Sequence, residues 1–278
     1  TPGPGLQVNL FASEKQFPEL SKPVQMAWDG KGRLWVAVWP NYPERTPTSK
    51  IADKILILED TDRDGRADKC TVYLDGLNCP TGFNFFKDGL LVMQAPDLWF
   101  VRDTDGDGRA DWHEVVLTGF GTQDSHLFPH QFLRQPGGQI FVAQGLFNYS
   151  KVRRPDGRSF ADGSTEVPFN QCKLARFTAD GSAFENLTAG PNNIWGLLTS
   201  REGETFFQEA NDQGYPVIPY EPGVWVRTGS KDLLRPYQPL MPPPLPPAQM
   251  GGTGLSGLAL AEDGDGLFRR FGAPSADS

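Results

Sequence analysis

Val24-Gln-Met-Ala-Trp28, a polar turn, and Gly32-Arg-Leu-Trp-Val-Ala37 form the stretch from which the fold of this chain is read. An apolar strand, a turn ending in glycine and a second apolar strand make a hairpin. The unit returns as Phe83-Asn-Phe-Phe86 before Gly89-Leu-Leu-Val-Met93, and as Gln131-Phe-Leu-Arg134 before Gly138-Gln-Ile-Phe-Val-Ala143. It returns again as Ile194-Trp-Gly-Leu-Leu198 before Gly203-Glu-Thr-Phe-Phe207, and as Leu258-Ala-Leu260 before Gly266-Leu-Phe268. The glycines at 32, 89, 138, 203 and 266 stand 57, 49, 65 and 63 residues apart, each interval long enough for about four strands with loops. A four-stranded sheet cannot bury both faces alone, so repeated sheets stack around an axis. The expectation is an all-β protein: a β-propeller of four-stranded antiparallel blades, six in number, five of them readable as repeats.

The outer strands fit the same unit. Ile55-Leu-Ile-Leu-Glu59 and Lys69-Cys-Thr-Val-Tyr73 read as the third and fourth strands of the first blade. Asp97-Leu-Trp-Phe-Val-Arg102 and Trp112-His-Glu-Val-Val-Leu117 match them in the second. Between each pair runs nearly the same nonapeptide, Asp60-Thr-Asp-Arg-Asp-Gly-Arg-Ala-Asp68 and Asp103-Thr-Asp-Gly-Asp-Gly-Arg-Ala-Asp111. Carboxylates at alternate positions around a glycine turn have the ligand spacing of a calcium loop. In the first loop the candidates are Asp60, Asp62, Asp64, the Arg66 carbonyl and Asp68, with Thr71 at the last position. In the second they are Asp103, Asp105, Asp107, the Arg109 carbonyl, Asp111 and Glu114. The competing reading is a solvated acidic turn. Either way the loops lie at the blade periphery, where an ion would clamp structure.

Composition limits the function. Of 278 residues, 26 are Lys or Arg and 34 are Asp or Glu, a formal net charge of -8. With no dense basic cluster, nucleic acid is excluded as a partner. No apolar run approaches the roughly 20 residues that span a bilayer. The chain begins at Thr1, as a secreted or periplasmic bacterial product would after signal removal, or as an excised piece would. Cys70 and Cys79 flank a short strand and turn, and are read either as a disulfide or as two buried thiols, with Cys172 left over. The whole of 1–278 reads as one propeller domain. Its Pro-rich stretch 235–247 is a surface strap or a proline-recognition ligand, and 269–278 a tail or truncation.

Met26-Ala-Trp-Asp29, Ile57-Leu-Glu-Asp-Thr-Asp62, Ala95-Pro-Asp-Leu-Trp99 and Leu117-Thr-Gly-Phe-Gly-Thr122 together give the chain a family resemblance. It resembles the N-terminal propeller of membrane-bound dehydrogenase-like proteins of planctomycete and verrucomicrobial bacteria, distant relatives of the soluble quinoprotein glucose/sorbosone dehydrogenases. The resemblance covers roughly residues 6–268. It implies six blades, the sixth closed by the N-terminal strand Leu6–Leu10 or absent. It also implies Ca2+ and pyrroloquinoline quinone as cofactors, a sugar or polyol substrate, an unspecified electron acceptor and a histidine base at the propeller mouth.

That implication directs attention to Asp124-Ser-His126-Leu-Phe-Pro-His130, with His126 or His130 as base. The family's catalytic position falls on Leu127, and His126 matches the histidine before it. The family's next motif, Arg-Asn-x-Gln-Gly-Leu, reads here Asn192-Asn-Ile-Trp-Gly-Leu197. Asn193 matches, while Asn192 stands for the arginine and Trp195 for the glutamine. Anionic quinone carboxylates prefer a guanidinium, so the change counts against the cofactor. Trp195 either stacks on a ligand ring or packs between blades. Asn211 and Asp212, after the fourth hairpin, are ligand or metal candidates or ordinary turn residues. Gly251-Gly-Thr-Gly254 lacks the histidine of its counterpart.

Two functions remain: a dehydrogenase oxidising a sugar or polyol, and a non-catalytic carbohydrate- or protein-binding propeller stabilised by calcium. A lactonase-like hydrolase would need carboxylates converging on the axis, and the clear clusters are peripheral.

Overall fold

The computed structural model describes residues 7–44, 46, 48–171, 173–189, 193–210, 217–220 and 256–259. Its first sheet has the order β1 (Pro23–Trp28), β2 (Leu34–Val38), β3 (Asp53–Glu59) and β4 (Lys69–Leu77), antiparallel throughout. The second repeats it with β5 (Gly82–Phe86), β6 (Gly89–Gln94), β7 (Asp97–Arg102) and β8 (Trp112–Thr118). The third starts with β9 (His130–Arg134) and β10 (Gln139–Gln144). A two-stranded hairpin of β11 (Tyr149–Val152) and β12 (Val167–Asn170) intervenes before β13 (Lys173–Thr178) and β14 (Phe184–Ala189) complete it. The fourth sheet shows β15 (Ile194–Thr199), β16 (Thr205–Glu209) and β17 (Val217–Pro219). These are blades of the expected β-propeller, four of them within the described residues.

Period-two alternation in the second strand of each blade explains the stacking. In β6, Leu90 and Val92 pack with Trp35, Ile55 and Ile57 of the first blade. Their neighbours Leu91 and Met93 pack with Phe132, Ile140 and Val142 of the third. In β10 the same split sends Ile140 and Val142 back, and Phe141 and Ala143 forward onto Ile194, Leu197 and Phe207. A strand buried on both faces must be apolar continuously, which is why Leu90-Leu-Val-Met93 has no solvent exposure at all.

First strands line the axis: β9 lies against β5 on one side and β15 on the other. Gln25 of β1 and His130 of β9 both approach Gly82 of β5. Gly257 donates its N–H to the Trp195 carbonyl (2.8 Å) and Leu258 lies against Gly196. The fifth predicted unit therefore begins beside the inner strand of the fourth blade; the rest of it lies outside the described residues.

Alternating strand direction fixes two faces. The first-to-second and third-to-fourth connections, including both Asp loops, lie on one. The second-to-third connections and the links between blades lie on the other, which we call the mouth.

The N-terminal segment departs from expectation. Residues 7–10 form no strand, and Val8 and Leu10 are exposed. Instead Phe11, Ala12, Phe17 and Leu20 cover the apolar face of the first blade, Leu34, Val36, Val38, Leu56 and Leu58. Phe11 accepts from the Ala67 N–H (2.8 Å), just as Tyr73 of β4 accepts from Ala110 (2.7 Å) one blade later. The segment thus stands where a preceding blade's outer strand would.

Cys70 and Cys79 are not bonded to each other. Cys70 sits half-buried at the start of β4, while Cys79 is buried beyond its far end with Trp39 and Phe128. An extended strand rises about 3.3 Å per residue, far more over this length than the 7 Å limit between bridged Cα atoms. Cys172 lies outside the described residues.

Candidate functional site: the propeller mouth and the acidic loops

The link from β8 to β9 carries His126, and His130 is the first residue of β9. Asp124 caps a single 3-10 turn, Ser125–Leu127, its carboxylate accepting from the His126 N–H (3.0 Å). Leu127 turns inward, Phe128 is buried, and β9 starts at His130. Residues 126 and 127 point apart because of this turn, so His126 is left exposed on the mouth face.

His126 is oriented from both ring nitrogens. Nδ1 meets Asp124 Oδ1 at 2.9 Å, and Nε2 meets the Tyr42 hydroxyl. Tyr42 comes from the β2–β3 connection of the first blade and packs against Trp39 and the edge of the imidazole. Burial and the Asp124 charge push its phenol above the usual tyrosine value.

Asp124 in turn is held by a buried polar hub that sequence reading missed. Asn148 accepts from the N–H groups of Gln123 (3.0 Å) and Asp124 (3.1 Å) and donates to the Asp124 carbonyl (2.9 Å). Gln144 donates to the Asn148, Phe169 and Gln171 carbonyls and accepts from Ser150. Ser150 also accepts from Gly121 (2.8 Å). Asn148, Gln144 and Ser150 are fully buried at the base of the β11–β12 hairpin, so the insertion pins the histidine loop. The 65-residue interval between Gly138 and Gly203, the longest of the series, is its sequence signal.

His130 sits below the mouth, without exposed surface. Its Nδ1–H donates to the Phe128 carbonyl, and Nε2 has no hydrogen-bond partner among the described residues. Burial pulls its pKa from 6.5 down to about 4, against weaker opposing pulls from the Phe128 and Ile194 carbonyls. The ring lies 3.9 Å from that of Trp195, centroid to centroid. Asn193 is buried, its Oδ1 pressed with Leu127 against Gly145. His130, Asn193 and Trp195 thus gather where the third and fourth blades meet, while His126 faces Tyr42 of the first blade. Asn211 and Asp212 lie outside the described residues, as do Asn192, the Pro-rich stretch 235–247, Gly251-Gly-Thr-Gly254 and residues 269–278.

On the opposite face the two acidic loops fold alike. Asp60 Oδ2 accepts from the Gly65 N–H (2.9 Å) and Asp103 Oδ2 from Gly108 (2.8 Å), each glycine at a positive φ, +90° and +89°. Asp64 accepts from the Arg66 N–H and Asp107 from Arg109, both at 2.8 Å. The carboxylates of Asp60, Asp62 and Asp68 come within 4.8 Å of one another, as do those of Asp103, Asp105 and Asp107. Opposite oxygens across a calcium ion stand about 4.8 Å apart, so an all-oxygen cluster of this size fits that ion.

The two sets are not the same. Asp64 is outside the first cluster. Asp111 is outside the second, although Asp68 and Asp111 alike accept from a threonine hydroxyl, Thr61 (2.7 Å) and Thr104 (2.6 Å), which holds both carboxyls below the usual range; Glu114 pairs along β8 opposite Phe100.

The quinone is tested by the chemistry of the mouth. Among the described residues no Arg or Lys is bonded to His126, His130 or Trp195, while the Asp124 carboxylate is bonded to His126. A tricarboxylate ligand needs cationic partners; the described residues do not fit it.

Among solved structures, the chain resembles a Trichoderma reesei carbohydrate-active enzyme of family AA12, at 14% identity, TM-score 0.48, covering 74% of this chain and 52% of that one. It resembles the PQQ-bound aldose sugar dehydrogenase from Streptomyces coelicolor at 15% identity, TM-score 0.46, covering 73% and 61%. A gluconolactonase from Xanthomonas campestris follows at 15% identity, TM-score 0.43, covering 67% and 53%. The chain spans little more than half the length of these structures, and the likeness carries no argument about chemistry. No curated protein matches. No helix among the described residues is long and apolar enough to cross a membrane. Residues 3–235 match the sequence profile described as Domain of unknown function (DUF7133), and the chain belongs to that family.

Proposed function

We propose that this propeller binds a neutral sugar or related polyol at its mouth and calcium in its two acidic loops. The observation that carries the first part is the array Asp124, His126 and Tyr42, preorganised on the mouth face by the buried Asn148 hub. Fixed polar groups beside aromatic walls suit a ligand that offers hydroxyls and C–H faces. Phe147 and Tyr149, both more than half exposed, rise beside that loop, and Trp195 is half-buried on His130. Among the described residues the Asp124 carboxylate is bonded to no Arg or Lys, which disfavours an anionic ligand and favours a neutral one.

Calcium in loops with three clustered carboxylates would bind weakly, in the range of extracellular modules. That agrees with a secreted or periplasmic bacterial protein. Recovery of the protein from the cytoplasmic fraction of its host would contradict that location.

Oxidation of the same polyol through pyrroloquinoline quinone is what the family resemblance implies, and the absence of any Arg or Lys bonded to His126, His130 or Trp195 among the described residues weighs against it. Saturation-transfer NMR with aldoses, alditols and lactones, beside a spectral titration with the quinone and calcium, separates the readings. Millimolar binding of neutral polyols without a quinone spectrum is expected. A quinone complex that reduces dye on adding sugar would replace this reading with the dehydrogenase one.

A further inference from the structure

We infer that Tyr42 is the ligand-facing acceptor of the mouth, with His126 and Asp124 beside it as a relay that commits the phenol proton to the imidazole. The inference rests on the polyol reading above and names the atom that reads the hydroxyl.

An ionised carboxylate can only accept, so the 2.9 Å contact of Asp124 Oδ1 makes Nδ1 of a neutral His126 the protonated nitrogen. Nε2 then carries the lone pair, and the donor it meets is the Tyr42 hydroxyl. With its one proton directed at Nε2, the phenol oxygen offers only lone pairs to anything entering the mouth. It therefore selects for a donor hydroxyl, and the imidazole, already bonded at both nitrogens, is not the group that meets the ligand.

The geometry is fixed rather than adjustable. The Tyr42 ring lies 5.5 Å from that of Trp39 and meets the imidazole edge-on at 5.2 Å and 82°. Trp39 is itself buried and tied to the Pro80 carbonyl (3.0 Å). Asp124 is fixed through its backbone by Asn148, and its Oδ1 also holds the His126 N–H. First and third blades thus contribute one half each of a single array. Among the described residues the charged groups that act on it are Asp124, whose field opposes loss of the phenol proton, and Lys22, which donates to the Tyr42 carbonyl and pairs with Glu44.

The test uses the full chain, wild type and Tyr42→Phe, with sorbitol and D-glucose as probes, and imidazole 15N spectra at pH 8. Phenylalanine keeps the ring packing, so the melting temperature should hold. The wild type should show the Nδ1–H tautomer at His126, with an Nε2 resonance that moves in Tyr42→Phe, and Tyr42→Phe should bind the probes about tenfold more weakly. Wild-type binding that Tyr42→Phe leaves unchanged overturns the inference and spares the polyol reading. An Nε2–H tautomer in the wild type overturns it whatever the probes do. Failure of the wild type to bind either probe counts against the polyol reading, and the relay is then decided by the 15N spectra.

Discussion

Lowering the pH from 7 to 5 should destabilise the fold by about 2 kcal/mol through His130 alone. In the folded protein this imidazole has no exposed surface, and burial pulls its pKa from 6.5 to about 4. In the unfolded chain it titrates at about 6.5. Between those values the unfolded chain binds a proton that the folded protein refuses, so stability falls as pH falls, by about 1.4 kcal/mol per unit. Above pH 7 the group contributes nothing, and below pH 4 the loss levels off near 3 kcal/mol. Carboxylates held low by hydrogen bonds, such as Asp180 at about 2, contribute stability above the ordinary carboxylate range that is lost only in stronger acid. The interval from 7 to 5 is therefore the window for the histidine. Urea denaturation at pH 7, 6 and 5 and constant ionic strength reads the slope, with His130→Gln as the comparison. Glutamine is destabilising in itself but does not titrate, so its slope should be close to flat. Equal slopes in the two proteins would refute the reasoning.

Other consequences follow from the same geometry. Chelation should lower the melting temperature, and Asp105→Ala should remove part of that shift; a melt indifferent to EDTA and calcium would leave the loops as turns. Peptide mapping under denaturing conditions without reductant should show no peptide pair joined through Cys70 and Cys79. A peptide pair joined through Cys70 and Cys79 would contradict the extended β4 between them. Asn148→Ala should cost about 1–3 kcal/mol, because it leaves the Gln123 and Asp124 N–H groups without their buried acceptor. It should also broaden the His126 resonances, and a sharp, unshifted His126 would separate the hub from the loop.

Blade architecture was legible because it is written in short-range patterns. Leu90-Leu-Val-Met93 is apolar at every position because both its faces are buried, and the glycine before it recurs wherever a second strand begins. The acidic nonapeptides were legible for the same reason, since ligands and glycine lie within one loop. Site geometry was less so. The β11–β12 hairpin is held by Gln144, Asn148 and Ser150, whose polarity is that of any loop until burial gives it meaning. No pattern in Asp124–His130 announces that Asp124 caps a 3-10 turn carrying His126. Tyr42 reaches His126 across 84 positions of sequence, and no local spacing announces such a pairing. The sequence suggests a closing strand at Leu6–Leu10, yet residues 7–10 form none, and Phe11, Phe17 and Leu20 act through side-chain burial on the first blade, which a strand pattern does not encode.

The most direct test of the proposed mouth is a crystal structure of the full chain soaked with sorbitol in calcium-containing buffer. The polyol reading predicts density for the ligand on the face bearing Tyr42, His126, Asn193 and Trp195, with a ligand hydroxyl in hydrogen-bond distance of the Tyr42 oxygen. Sorbitol bound only at the periphery, or an empty mouth beside calcium-filled loops, would contradict it.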